Sequence, residues 1–473
     1  MTGRKVAAIM AALVAAGACA SNPPPEDVDG GGVSRIEQSL ADYGRMGFLA
    51  GTPEFPVVGR VVTFRGAGDS AYVGLVASMP PRALKFARDH ELFAARYQVT
   101  ATAVAGPDTV ARMDRREVVR VESFAETASD EERIFFQRFI TLPPGSYDVT
   151  LTVRELTSRD QVGRTFRVDV PARTRLEGWI GEPVVALRAV ARQAYRQPPP
   201  LIISPRSTTA ANRKPPLLVV EVYDDSPDTV TLRATADGTL LWEQALEPTP
   251  APGDGDGPRT ALTTLPISRI PPGLVELTVS TGGVVATRSP VLVALDDVWA
   301  FARWDDIVRC LVYALPSDSL ETWETAAPSD RAHLWTAFWD ATDLDPATPG
   351  NEFLDRYFDR MSRAQDRYGE PGVPGWRSDR GRAYVQLGPP DVESVQGGGE
   401  TGEPLQIDWR YGESLPFPVL LHYVDVNDFG LFRLDSRSRL VLRNAARDLR
   451  ALERSGEWTD PRHAEDEDDE GIE

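Results

Sequence analysis

Cysteine and histidine are scarce, with two of the first and four of the second in 473 residues. Two cysteines permit at most one disulfide, and if Cys19 is acylated, Cys310 is the only thiol left and no bridge forms within the chain. Cys310 lies in FARWDDIVRCLVYAL, where Phe301, Trp304, Val308, Leu311 and Leu315 recur at helical spacing. No histidine stands near it in sequence to activate it, so it reads as a buried structural thiol and not as a nucleophile. Positive charge is also short: 51 Lys and Arg against 70 Asp and Glu give a net charge of -19. That balance speaks against a nucleic-acid partner, because phosphate binding rests on clustered cations that displace counterions. Seven acids lie in the last nine residues, EDEDDEGIE, yet a net charge near -12 remains on the rest. After the first 20 residues no apolar run approaches the roughly 20 residues that a membrane-spanning helix needs. The chain also has no G-x-S-x-G elbow, no H-E-x-x-H pair and no phosphate-cradling glycine loop.

What is present begins with a leader. MTGRKVAAIMAALVAAGACASNPPPEDVDGGG carries Arg4 and Lys5, an apolar stretch from Val6 to Ala18, and small residues before a cut. Ala16-Gly17-Ala18-Cys19 resembles a bacterial lipobox, whose cysteine is lipidated and becomes the new N-terminus. Ala16 and Ala18 also satisfy the ordinary A-x-A rule, and the leucine usual at the first lipobox position is missing, so either peptidase fits. The cysteine at the cut and the Pro/Gly/acidic stretch after it favour lipidation at Cys19. Several acyl chains at about 0.8 kcal/mol per buried methylene anchor a protein firmly. Ala20 and Ser21 lack the aspartate of an inner-membrane retention signal, which directs the expectation to the periplasmic face of the outer membrane.

The remaining length predicts roughly three domains. We read residues 1–18 as signal peptide, 19–34 as tether, and 35–175 as a short helix (Ile36, Leu40, Tyr43) followed by a β-sandwich. Strands announce themselves by period-two alternation, as in ARYQVTATAV and SYDVTLTVR, where Tyr97, Val99, Ala101 and Ala103, and Tyr147, Val149, Leu151 and Val153, share a face. About seven such runs fit before residue 170. A second β-sandwich is expected over 176–296, with Asp237-Gly238 as a two-residue hairpin turn. LPPGSYDVTLTV and IPPGLVELTV repeat one pattern, a Pro-Pro-Gly turn feeding an alternating strand, which any β protein also reuses. The modules are expected to be mainly antiparallel and Ig-like.

From 297 to 445 helices take over, and an α+β domain of about three helices on a small antiparallel sheet is expected. The helices are the Cys310 segment, PSDRAHLWTAFWDATD with Ser329 as N-cap and Leu334, Ala337 and Phe338 on one face, and NEFLDRYFDRMSRAQDRYG with Phe353, Tyr357, Met361, Ala364 and Tyr368 as its stripe. The strands are GRAYVQL, LQIDWRY, FPVLLHYVD and GLFRLD. Residues 446–473 read as an acidic tail, disordered at its end.

AFWDATDLDPATPGNEFLDRYFDRMSRAQDRYGEPGVPGWRSDRGRAYVQLGPPD resembles the GWxTD domain family of bacterial envelope proteins. The residues that carry the resemblance are Phe338-Trp339, Asp345-Pro346, Asn351-Glu352, Gly375-Trp376, Asp379-Arg380-Gly381-Arg382 and Gly388-Pro389-Pro390-Asp391, with Ser378 in place of the threonine of the family name. The likeness runs over about residues 320 to 435, and a fainter one upstream draws the β region into the same arrangement. The resemblance implies a secreted or lipid-anchored protein and no defined chemistry.

Two readings of the motif follow. Asn351, Glu352, Asp379, Arg380, Arg382, Asp391 and His422 are the ingredients of acid–base work if they converge, and a hydrolase or carbohydrate-active protein built on Asp379, Arg382 and Asp391 is the alternative. The favoured reading is structural. Gly375 would adopt a backbone angle other residues resist, and Trp376 would fill the gap between helices and sheet. Ser378 or Asp379 would accept backbone N–H bonds in a tight turn, and Arg380 or Arg382 would pair with Glu352 or Asp391. No catalytic residue, metal or cofactor is assigned. DATDLDP lacks the glycine and terminal glutamate of a calcium loop, and His422 reads as a sheet-face histidine. The expected role is non-catalytic binding or scaffolding with an envelope protein partner, the membrane being reached through the N-terminal lipid.

Overall fold

The computed structural model describes residues 35–129, 134–172, 180–211, 214–223, 228–252, 257–296, 299–316, 319–397, 404–425 and 429–462. Residues 1–34, where a signal peptide, a tether and a lipidated Cys19 are expected, lie outside the described residues. The chain is mostly β, in several sheets that are antiparallel except where the strand Thr208–Ala210 runs parallel to Val284–Ala294, with eight α-helices among the described residues.

Helix α1 (Arg35–Arg45) is followed by nine strands: β1 (Leu49–Ala50), β2 (Val58–Arg65), β3 (Ala71–Met79), β4 (Ala87–Asp89), β5 (Leu92–Ala105), β6 (Asp108–Val121), β7 (Ile134–Leu142), β8 (Gly145–Glu155) and β9 (Gln161–Val170). A four-residue helix, α2 (Phe124–Thr127), follows β6 and opens with a capping box between Ser123 and Glu126. Strands β1-β2-β3-β7 form the first sheet, and β4-β5-β8-β9 the second, with β6 also paired to β5. The alternation in β5 and β8 places Tyr97, Val99, Ala101, Ala103, Tyr147, Val149, Leu151 and Val153 inside, against Val73, Leu75 and Ala77 of β3. Here the pleat alone turns one face to the core.

A second set of strands follows: β10 (Val184–Ala189), β11 (Leu201–Ile203), β12 (Thr208–Ala210), β13 (Leu217–Val222), β14 (Val230–Ala236), β15 (Thr239–Leu246), β16 (Arg259–Thr264), β17 (Gly273–Thr281) and β18 (Val284–Ala294). They form a sheet of order β11-β10-β13-β16 and another of order β12-β18-β17-β14-β15. Asp237 and Gly238 both have positive φ between β14 and β15, as a type I′ hairpin requires. Both Pro-Pro-Gly segments lead into interior strands, β8 and β17, each with antiparallel neighbours on both sides. Val62, Phe64 and Val76 of the first sheet meet Val184, Ala186, Ile203 and Val219 of the third, so the first sheet is buried on both faces.

The third region holds six helices where about three were expected. They are α3 (Trp304–Cys310), α4 (Leu320–Glu324), α5 (Pro328–Thr342), α6 (Glu352–Arg367), α7 (Asp379–Leu387) and α8 (Ser436–Ser455). Between α7 and α8 lies an antiparallel sheet of β19 (Val392–Gln396), β20 (Leu405–Tyr411), β21 (Val419–Asp425) and β22 (Arg433–Leu434). Several expectations are corrected here. GRAYVQL belongs to α7 and is no strand, because Ser378 caps it and Ala383, Tyr384 and Leu387 are buried at helical spacing. Gly388, with φ +80°, ends that helix ahead of the two prolines that follow. Helix α5 starts one residue before Ser329, with Pro328 in its first turn, and buries Trp335, Phe338 and Trp339, while Ala337 is exposed. The tail expected from 446 begins inside α8, which buries Leu442, Ala445, Ala446 and Leu449, and Asp460 beyond it is also buried. Residues 463–473 lie outside the described residues.

One hydrophobic core runs from Ile180 through the third and fourth sheets, the helices and the fifth sheet to Leu449. The change from strands to helices at 297 falls within it. Cys310 is buried there, and the Trp335 indole donates to the Ile267 carbonyl at 2.8 Å, joining α5 to the loop before β17.

Candidate functional site

The GWRSDRG segment turns the chain from the end of α6 into α7. Gly375–Arg377 makes one 3-10 turn and Ser378 follows as the N-cap of α7. The Ser378 hydroxyl donates to the Gly375 carbonyl at 2.9 Å and accepts the Gly381 N–H at 3.0 Å, so one buried oxygen closes the turn and opens the helix. A cap of this kind contributes about 1 kcal/mol. Gly375 does not adopt the unusual backbone angle expected of it, since its φ is outside the left-handed range. Its need is space: a Cβ there would collide with the carbonyl oxygens of Ala364 and Gln365 in the last turns of α6. Gly381 faces Gly375 in turn, and a Cβ on Gly381 would run into the Gly375 carbonyl. The two glycines let α7 lie against the end of α6 at backbone contact.

Trp376 is buried, and its aromatic neighbours come from the segments around α3. Its ring meets Trp299 edge-on at 6.0 Å and Tyr313 at 6.1 Å, residues that flank α3, and the Arg377 guanidinium lies 4.7 Å over it. Trp299 donates its indole N–H to Ser362 of α6 at 3.0 Å, extending the contact along that helix. Burial pushes the Tyr313 phenol up from its ordinary value, against the nearby charges of Arg382 and Arg377.

Asp379 accepts the Leu434 N–H at 2.8 Å, which ties the first residue of α7 to β22. Arg380 pairs with neither Glu352 nor Asp391. Its guanidinium lies 4.2 Å from the Phe432 ring centre and 5.5 Å from that of Tyr368, with Glu370 at 3.8 Å. Glu370, which nothing in the local pattern singles out, is the buried acid of this cluster. It accepts the Phe432 N–H at 3.2 Å and pairs with Arg433 at 2.6 Å. Its signal in sequence is a single charge set between Gly369 and Pro371.

The other expected residues do not join them. Asn351 caps α6, accepting the Leu354 N–H at 3.0 Å and donating to Thr342 at 3.1 Å. Glu352 accepts the Asp345 N–H at 3.3 Å and a hydrogen bond from Thr348. Both stand at the start of a 16-residue helix whose end, about 24 Å away, touches Gly375. Arg382 approaches the Tyr313 ring at 5.8 Å. Asp391 lies past the far end of α7 from Asp379 and accepts the N–H groups of Gly412 at 2.6 Å, Glu413 at 2.8 Å and Ser414 at 3.3 Å. Burial alone would raise the Asp391 carboxyl, but these donors outweigh it and bring it down to about 2. His422 meets Asp408 across β20 and β21, and its backbone N–H donates to Ser438. Asp379, Arg382 and Asp391 therefore form no single constellation. Among the described residues no group of three or more His, Cys, Asp or Glu side chains is placed to hold a metal ion.

Compared with known proteins, the chain matches no protein-family model and no curated protein sequence.

Proposed function

We propose that this chain is a lipid-anchored protein of the bacterial envelope, held at the periplasmic face of the outer membrane through Cys19. In this reading it has a non-catalytic binding or scaffolding role toward an envelope protein. We read its paired sheets as immunoglobulin-like modules and residues 320 to 435 as a GWxTD-like domain. The observation that carries the non-catalytic reading is the occupation of the motif: Ser378, Asp379 and Asp391 bond to main chain, while Arg380 is sandwiched between rings beside Glu370. A catalytic carboxylate has to face substrate, and these face their own backbone. The terminal strand β19, with Val392 and Val395 exposed, supports a mode of partner binding by strand addition.

Two experiments test the reading separately. Replacement of Cys19 by alanine should abolish fatty-acid labelling and release the protein from the membrane pellet; unchanged labelling would refute the anchor. Crosslinking in intact envelopes should yield a stoichiometric companion that disappears when Val392 and Val395 are both changed to lysine. Recovery of the chain alone, or of a companion indifferent to that change, would refute binding at this edge.

A further inference from the structure

Helix α8 carries six arginines and two acids, in a chain whose net charge is -19. At about 3.6 residues per turn, Arg439, Arg443, Arg447 and Arg454 fall within about 80° of one another and form one stripe along the helix. All four are exposed, and they lie off the face that buries Ser438, Leu442, Ala445, Ala446 and Leu449. Neither acid of the helix neutralises the stripe. Glu453 turns inward to Arg356 at 2.6 Å, and Asp448 serves Arg447 alone, at 2.9 Å. The side chains of Arg439 and Arg443 have no hydrogen-bond or ion-pair partner among the described residues. Like charges at i and i+4 repel, and Arg439, Arg443 and Arg447 repeat that spacing twice in succession. The packing of α8 does not require this arrangement, which leaves a surface fitted to negative charge.

The chain itself brings that charge close by. Gly456 ends α8 in the left-handed conformation, and the segment after it returns to α6. Asp460 pairs there with Arg360, one helical turn from the Arg356 that holds Glu453 in the last turn of α8. Residues 453 and 460 are thus bound to neighbouring positions on one helix, and the chain stays beside the end of the stripe. Arg462, the last described residue, donates to the carbonyls of Leu387 and Pro389, each at 2.9 Å. Shortly after it the sequence reads Glu465, Asp466, Glu467, Asp468, Asp469 and Glu470. The 11 residues from 463 to 473 reach about 36 Å when extended, against about 22 Å from Arg439 to Arg454.

We propose that the acidic segment 465–470 docks on the arginine stripe of α8 in its own chain. A single exposed ion pair contributes little, but six carboxylates facing four arginines act together, and the short connection from Arg462 keeps them at high effective concentration. Guanidinium forks take carboxylates in paired N–H···O bonds, so Arg439 and Arg443 gain the acceptors they lack. Docking relieves the repulsion along α8 and covers a basic surface that otherwise attracts foreign polyanions. The contact is independent of the anchor at Cys19 and of the β19 edge.

The test is zero-length carbodiimide crosslinking of the full-length Arg443→Lys chain at low salt, read by peptide mass spectrometry. Lysine keeps the charge and offers an amine that the reagent can join to a carboxylate. A monomeric product linking position 443 to the segment 465–470 is expected, falling at least tenfold in about 1 M sodium chloride, where the screening length is about 3 Å. Absence of that product overturns the assignment, and so does its confinement to crosslinked dimers, which would place the segment on a second copy. Retention on a heparin column gives a measurement that does not depend on the new lysine. Arg439→Gln with Arg443→Gln should hardly change the elution salt of the native chain, whose stripe is covered. The same pair should lower it markedly once the six acids of 465–470 are replaced by their amides. Equal shifts in the two backgrounds would show that the stripe is open in both, and the proposal would fall.

Discussion

The carboxylate of Asp379 accepts the backbone N–H of Leu434 at 2.8 Å across 55 residues of chain. One end of that bond sits in the first turn of α7, where the helix dipole favours a negative charge, and the other is in the last strand of the fifth sheet. Ser378 beside it caps the same helix. The segment from 375 to 381 is thus tied to the end of α6 through its glycines, to the α3 region through Trp376 and to the sheet through Asp379.

Trp376 fills the contact with Trp299 and Tyr313, so Trp376→Ala should cost about 3–5 kcal/mol of unfolding free energy. Trp376→Phe retains an aromatic ring there and should lose less. Urea denaturation followed by far-ultraviolet circular dichroism measures both, and equal losses for the two variants would contradict an anchoring role for the indole.

Gly375 and Gly381 are required for proximity, and the atoms that a new methyl would meet are backbone carbonyls that cannot swing aside. Gly381→Ala should therefore cost about 3 kcal/mol or prevent folding, at the upper end of what overpacking does. Gly412→Ala is the control, because nothing lies within 4 Å of its added Cβ. Thermal melts of the two proteins should differ widely, and similar melts would contradict the close approach of α7 to α6.

Asp391 has a folded-state pKa near 2, below the value of about 3.9 expected in an unfolded chain. A depressed carboxyl adds stability that is present above the unfolded value and is lost as pH falls through the folded one. The stability of the native chain should therefore decline between about pH 4 and pH 2 partly on account of Asp391. Asp391→Asn should be less stable at neutral pH and should converge with the native protein near pH 2. A gap of constant size across that range, in urea melts at stepped pH, would contradict this assignment.

Arg192 and Glu221 form a buried pair at 3.3 Å, with Arg192 also donating to the Arg65 carbonyl at 2.7 Å and Tyr223 donating to Glu221 at 2.9 Å. Burial raises the Glu221 carboxyl above its ordinary value, Arg192 and Tyr223 opposing the rise. Arg192→Met leaves that acid without its counter-charge and should cost about 3–5 kcal/mol, whereas adding Glu221→Leu should recover much of the loss. A double-mutant cycle in guanidinium chloride measures the coupling. A double variant no more stable than the single one would show that the carboxylate is not the source of the cost.

The β regions are legible because alternation is local. Tyr97 and Val99, or Tyr147 and Val149, declare their face within a few residues, and Asp237-Gly238 declares its turn by itself. Two of the three unexpected helices of the third region escape a local reading for the opposite reason. GRAYVQL alternates well enough to pass for a strand, although Ser378 and Asp379 ahead of it carry a helix-start signal. Helix α8 is rich in arginine and runs toward an acidic end, which hides the spacing of Leu442, Ala445, Ala446 and Leu449 and the stop at Gly456. The partners of the motif are not legible at all. Glu370 finds Phe432 and Arg433 over 62 and 63 residues, and Arg360 finds Asp460 over 100, so local pattern holds no trace of either pairing. Arg380 is expected to seek a carboxylate alone, yet two rings and Glu370 share it.

The most direct test of the structural role of the motif is the unfolding free energy of Asp379→Asn and Asp379→Ala beside the native protein. Loss of a charged acceptor for a partly buried N–H should cost about 1–3 kcal/mol, with Asn keeping part of it, and should speed exchange of the Leu434 amide with deuterium. Unfolding free energies equal to that of the native protein, with the Leu434 amide still protected, would contradict the account.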